Sequence, residues 1–143
     1  MAISNAVANS FKQELLVGTH NFTASSGHTF KLALYTSSAT LGASTTVYVT
    51  TGQVTGTNYT AGGANLTSVT PVLASSTAVC DFTELTFGTA TISNARGCLI
   101  YNSSASNKAV CSLDFGSDKS STAGNFTVVF PSPTATGAII RLA

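Results

Sequence analysis

Charge is what this chain lacks most. Six Lys or Arg and five Asp or Glu make up 8% of its 143 residues, where soluble domains average about a quarter. Six dispersed cations cannot build the basic field that a nucleic-acid binder needs, which excludes that class of partner. The same shortage excludes an acidic tail, a coiled coil and a lysine-rich disordered arm. Cysteine is scarce as well. Cys80, Cys98 and Cys111 form an odd set at irregular spacing without a Cys-x-x-Cys pair, unlike a disulfide framework or a zinc site. They read as three small buried hydrophobes. Long apolar runs are missing: no stretch approaches the roughly 18 residues of a membrane span. The segment from Met1 to Lys12 lacks a positive stretch followed by an apolar run, so it does not read as a signal peptide.

What is present is hydroxyl. The chain carries 23 Thr and 19 Ser, 42 of 143 positions. Threonine is β-branched, suits a pleated surface and hydrogen-bonds without net charge. Burying it costs much less than burying Lys or Glu, so a Thr/Ser face is one that a neighbour can cover. Five Asn-x-Ser/Thr sequons, at Asn21, Asn58, Asn65, Asn102 and Asn125, follow largely from the abundance of these residues. With 43% apolar residues the chain can still bury one core, and its length suits a single domain.

Ile3, Val7, Phe11 and Leu15 recur every fourth residue. This stripe predicts an amphipathic helix over 3–17, capped by Ser4 and ended by Gly18. Beyond Gly18 the period falls to two. Phe30, Leu32 and Leu34 alternate with Lys31, Ala33 and Tyr35, as in a half-buried strand. A short run at Val47–Val49 and a turn-rich stretch over 50–63 follow. Further runs lie at 64–73, 78–82, 85–92, 97–102, 108–115, 126–130 and 138–142, each bounded by turn residues. Seven to nine short strands of this kind predict a mainly β, single-domain antiparallel β-sandwich or jelly-roll-like barrel over 29–143, with the one N-terminal helix. The clearest hairpin joins 97–102 to 108–115. Pairing Asn102 with Lys108 puts Leu99 opposite Cys111 and places Cys98 and Cys111 on opposite faces.

Chemistry is sparse. His20 and His28 share one loop with no Cys or carboxylate close by in sequence, which reads as solvation or hydrogen bonding rather than metal ligation. No Gly-x-Ser-x-Gly elbow accompanies the many serines. Asp114-Phe115-Gly116 copies a kinase tripeptide without the other kinase elements, and reads as a strand end with Phe115 in the core. Asp81 with Glu84 reads as a pair of solvated turn carboxylates. Asp114 with Asp118 lacks the dense oxygen spacing of a calcium loop. Tyr48, Tyr59 and Tyr101 read as sheet packing with hydroxyls at the rim. No catalytic, cofactor-binding or metal-binding residue is assigned.

A set of local elements carries a resemblance. It runs from Phe30-Lys31-Leu32-Ala33-Leu34-Tyr35 through Tyr48-Val49-Thr50-Thr51 and Gly52-Gln53-Val54 to Tyr59-Thr60-Ala61-Gly62-Gly63. Leu99-Ile100-Tyr101-Asn102, Leu113-Asp114-Phe115-Gly116 and Ile139-Ile140-Arg141-Leu142 follow. From about Phe30 onward the chain resembles small virion structural proteins of tailed bacteriophages. It departs from them at Gln53, where they often carry a charged residue. The resemblance implies a non-enzymatic virion part, made in the bacterial host cytoplasm, with no catalytic residue to carry over. Combined with the composition, it leads to a capsid decoration or cement protein. That protein would bind the major capsid protein or neighbouring virion proteins, as a homo-oligomer, with no nucleic-acid or membrane partner. A neck or tail adaptor or fibre-attachment protein is the alternative, and a carbohydrate-binding host-recognition module the second. In each case the helix 3–17 and the loop 50–63 are expected to touch neighbours, through Ile3, Val7, Phe11, Leu15, Val54 and Tyr59.

Overall fold

The computed structural model describes residues 2–143. Among these the chain forms nine strands and one helix: β1 (Ala6–Val7), α1 (Asn9–Leu16), β2 (Phe30–Tyr35), β3 (Gly56–Thr57), β4 (Ala64–Asn65), β5 (Ser68–Ala74), β6 (Thr77–Phe82), β7 (Leu85–Asn102), β8 (Lys108–Val128) and β9 (Ile140–Leu142). The larger sheet has the order β1-β8-β7-β2-β4, with β3 also on β7; the smaller is β5-β6-β9. All strand pairings are antiparallel, so the protein is mainly β with two sheets, as in a β-sandwich.

The first apolar stripe is split between two structures. Ile3 bridges to Leu41, and Ala6 and Val7 pair with Ser112 and Cys111 of β8. The helix starts only at Asn9, so the reading of 3–17 as one helix is corrected to 9–16. Ser4 is not its cap: its hydroxyl hydrogen-bonds the Leu41 carbonyl at 3.4 Å. The start of α1 is set by backbone bonds, from the Ala8 N–H to the Val110 carbonyl and from the Asn9 N–H to the Ala43 carbonyl. A helix begun at Ile3 would leave the edge of β8 at Cys111 and Ser112 unpaired, which the extended form avoids. Gly18 ends the helix as expected, at φ 76° with its N–H on the Leu15 carbonyl.

β2 spans the expected residues, but it is buried on both faces rather than half-buried. The runs 85–92 and 97–102 merge into an 18-residue β7, and 108–115 continues through Asp114-Phe115-Gly116 into a 21-residue β8. Bulges carry the two strands through Thr89, Asn94, Gly116 and Ala123, each at positive φ. Asp114-Phe115-Gly116 is therefore mid-strand rather than a strand end. The hairpin register begins as expected, with Asn102 opposite Lys108 and Tyr101 opposite Ala109. An extra residue, Val110, then shifts it, so Cys111 faces Ile100 rather than Leu99. Cys98, two residues from Ile100, thus shares a face with Cys111, contrary to the expected arrangement. All three cysteines are free thiols, with Cys98 and Cys111 buried.

The core is joined by aromatic rings. Phe22 stacks on Phe30 at 4.2 Å between centroids, and Phe11 meets Phe22 edge-on at 5.9 Å. Phe82 of β6 packs on Phe30 at 5.9 Å and on Phe130 at 5.8 Å, which ties the small sheet to the large one. Phe30 lies at the centre of this cluster. Phe30→Ala should lower unfolding stability by about 3–5 kcal/mol in urea titration, whereas Leu16→Ala, at a side chain 89% exposed, should change it by no more than about 0.5 kcal/mol.

Candidate functional site

Strand β2 is buried on both faces and has a complete strand partner on one edge only, β7. Its other edge meets β4 only at Lys31 and Leu32. The remaining backbone groups are satisfied piece by piece from the stretch 50–66. The Leu66 N–H reaches the Phe30 carbonyl, the Val54 N–H the Leu34 carbonyl, and the Thr36 N–H the Gly52 carbonyl. The Leu34 N–H donates to the Tyr59 hydroxyl at 2.8 Å. A side chain here does the work of a missing strand.

Gln53 organises this edge. Its Oε1 accepts from the Gly62 N–H at 2.7 Å and from the Tyr59 hydroxyl at 3.2 Å, while its Nε2 donates to the Tyr48 hydroxyl at 2.9 Å. An amide is suited to the position because it both donates and accepts. Tyr101 donates to the Gly62 carbonyl at 2.6 Å and stacks on Tyr48 at 4.8 Å. Gly63 sits at φ 78°, and a side chain there would strike the Leu32 carbonyl. The Tyr-Thr-Ala-Gly-Gly element is thus a structural tie. Burial pushes up the phenols of Tyr35 and Tyr59, and takes that of Tyr101 up to about 12, with Tyr48 adding to the shift.

A second polar cluster lies near the hairpin turn. His20 meets Glu14 of α1 through Nε2 and Oε2 at 2.6 Å, and Lys108 reaches the other Glu14 oxygen at 3.4 Å. Asn102, fully buried at the end of β7, contacts both His20 Nδ1 at 3.0 Å and His28 Nδ1 at 2.9 Å. The expectation of hydrogen-bonded loop histidines holds. Sequence reasoning missed Glu14, Asn102 and Lys108. The available signal was Glu14 three residues after Phe11, a carboxylate on the apolar side of the helix.

Of the remaining carboxylates, Asp114 and Asp118 share one arginine. Arg96 pairs with Asp114 at 3.1 Å and with Asp118 at 3.7 Å. The Gly116 N–H and then Arg96 hold the Asp114 carboxyl below its usual range. Asp81 lies in β6 opposite Val69, and Glu84 is exposed at the junction with β7.

Of the six side chains expected to touch neighbours, Ile3, Phe11, Val54 and Tyr59 are buried in the chain's own core, and Val7 and Leu15 are half-buried against it. Those four side chains are taken up by the core, while Thr51, Thr55, Thr57, Asn58 and Thr60 of the loop 50–63 stay exposed. The exposed apolar side chains lie elsewhere. Leu16 and Val17 end α1, and Val72, Leu73 and Leu142 lie on the small sheet. A groove of about 590 Å³ between these elements is lined by Leu15, Phe22, Pro71, Cys80, Ile140 and Leu142 among others.

The longest unpartnered backbone is on β8. From Phe115 onward no strand among the described residues pairs with its outer edge. Ser117, Asp118, Lys119, Ser120, Thr122, Asn125 and Thr127 are exposed along it, while Phe87 and Phe126 turn inward. These features define a mainly β protein whose polar clusters tie the fold together and whose open surface is hydroxyl-rich sheet. No family model matches the chain, and comparisons with curated proteins and with solved structures return no match.

Two predictions follow from this geometry. Because the phenols of Tyr35, Tyr59 and Tyr101 are raised in the fold, their contribution to stability is fully present below the unfolded value near about 10 and is lost as pH rises through the folded values. Absorbance at 295 nm should show their ionisation only on alkaline unfolding, and an ordinary midpoint for every tyrosine would contradict this. Burial also raises the thiols, Cys80 to about 11, Cys111 to about 12 and Cys98 well above the ordinary range. A thiol reagent at neutral pH should therefore leave Cys98 and Cys111 unmodified until denaturant is added, as read by mass spectrometry.

Proposed function

We propose that this chain is a non-enzymatic virion structural protein of a tailed bacteriophage, and specifically a capsid decoration or cement protein. The observation that carries the reading is the outer half of the β7–β8 ribbon, where a long sheet edge and its exposed Thr and Ser side chains are left open. A cement protein works by many modest contacts over a broad, nearly neutral area. Hydroxyl side chains provide such contacts at low desolvation cost, and Asp118 and Lys119 are the charged side chains along the edge that a neighbour would have to match. The open edge adds backbone donors and acceptors that a neighbouring chain can satisfy. The exposed Leu16, Val17, Leu73 and Leu142 offer a smaller apolar contact, suited to a neighbouring copy in a symmetric oligomer. The resemblance carried by the Tyr59–Gly63 and Leu113–Gly116 elements supports a virion setting.

The decoration reading and the neck or tail reading both drew on a free N-terminal helix, and α1 supports neither, since Phe11 and Glu14 are buried in this domain. The carbohydrate-binding reading drew on an aromatic platform. Tyr59 and Tyr101 are buried beneath the loop 50–63 and are not open to a sugar.

The test is made on purified particles with and without the chain. Decoration predicts a copy number close to that of the major shell subunit and a lower temperature of genome release when the chain is missing. A copy number matching a single ring, with shell stability unchanged, would overturn the reading.

A further inference from the structure

The contacts of Asn102 constrain the protonation of two histidines at once. The orientation of its amide is fixed by the hairpin turn, because the Ser104 N–H donates to Asn102 Oδ1 at 3.0 Å. The carboxamide therefore presents Nδ2 to both imidazoles, at 3.0 Å from His20 Nδ1 and 2.9 Å from His28 Nδ1. Its two hydrogens are both donated, so both Nδ1 atoms must be bare acceptors. His20 then carries its proton on Nε2, where it donates to Glu14 Oε2 at 2.6 Å.

Protonation of either ring places an N–H against an N–H. Turning the amide over would relieve the histidines but set Nδ2 against the Ser104 N–H. No orientation of Asn102 satisfies the turn and a protonated imidazole together. The segments held at this point are long-range ones: the Thr29 N–H donates to Ser104 Oγ at 2.9 Å, and the Ser103 N–H and hydroxyl both donate to the Thr29 carbonyl.

We infer that Asn102 is an acid-sensitive latch, which holds the 19–29 loop on the 103–107 hairpin turn while His28 Nδ1 is bare and releases it when that nitrogen takes up a proton. On His20 an added charge would instead gain Glu14 at 2.6 Å. The charged neighbours of His20 are Glu14 on α1, with Lys108 of β8 on its second oxygen. His28 lines an open hollow of about 290 Å³ with Thr23, Ser25, Asn65 and Ser68 among its walls, and no charged side chain lines it. Its added charge would gain no carboxylate partner there. Because the latched form requires a bare Nδ1 on His28, it is favoured at high pH and weakened as pH falls. Release would uncover Phe22, which stacks on Phe30 beneath the loop. This inference is independent of the virion reading.

The experiment is amide hydrogen exchange on the intact chain, with protection factors corrected for intrinsic pH dependence, between about pH 7.5 and 5. Protection in 19–29 and 103–107 should fall about tenfold per pH unit for each proton the open form takes up, while β2 keeps its protection. His28→Gln should reduce that pH dependence. Asn102→Asp should reverse it, since a carboxylate accepts from the Ser104 N–H and from protonated rings alike. Flat protection in 19–29 across the interval in the wild-type protein would overturn the latch whether or not the variants fold, as would nitrogen shifts showing both Nδ1 atoms protonated at neutral pH.

Discussion

The fold depends on burying one short strand on both faces. Phe30, Leu32, Ala33, Leu34 and Tyr35 are all lost to solvent, and each brings backbone groups that cannot be left unpaired in an apolar interior. One edge of β2 finds a regular partner in β7. The other is closed by β4, two loop backbones and the Tyr59 hydroxyl. That requirement explains why a loop over 50–63 is so thoroughly tied down by Gln53, Tyr48, Tyr101 and the glycine pair. The opposite demand, covering the face that carries Phe30, recruits α1, the 19–29 loop and the small sheet through one aromatic cluster.

Much of this was legible in the sequence where the signal was local. The alternation of Phe30 to Tyr35 marks a strand because period two has no other reading in so short a run. The Ser103–Asn107 turn and the first pairs of its hairpin follow from the flanking strands. The misreadings arise where tertiary pairing competes with local pattern. Ile3 and Val7 keep helical spacing with Phe11, yet the unpaired edge of β8 draws them into extended backbone. Val110 adds one residue to β8 and changes which face Cys111 occupies, and no composition cue marks a bulge at a valine. The histidine cluster was hidden for a related reason. Glu14, His20, His28 and Asn102 are spread over 89 positions of sequence and meet only where the end of β7 reaches the loop that follows the helix.

The corrected placement of Ile3, Phe11, Val54 and Tyr59 moves the open surface rather than abolishing it. Side chains chosen for a neighbour on apolar grounds proved to be core. What lies open instead is hydroxyl-rich sheet on β7 and β8 with a few charged side chains, Asp118 and Lys119 among them, together with a few aliphatic side chains by the small sheet. Repeated bulges twist the β8 edge, which discourages indiscriminate strand addition by other chains. A surface of this kind suits a specific neighbour that is shaped to the bulges.

The proposed decoration role requires a neighbour to cover the outer half of β8. Hydrogen exchange of the amides from Gly116 to Val128, compared between the free protein and the same protein bound in intact particles, tests it directly. Much slower exchange along this edge is expected in the bound state. Equal rates in the two states, with the protein firmly bound, would contradict it.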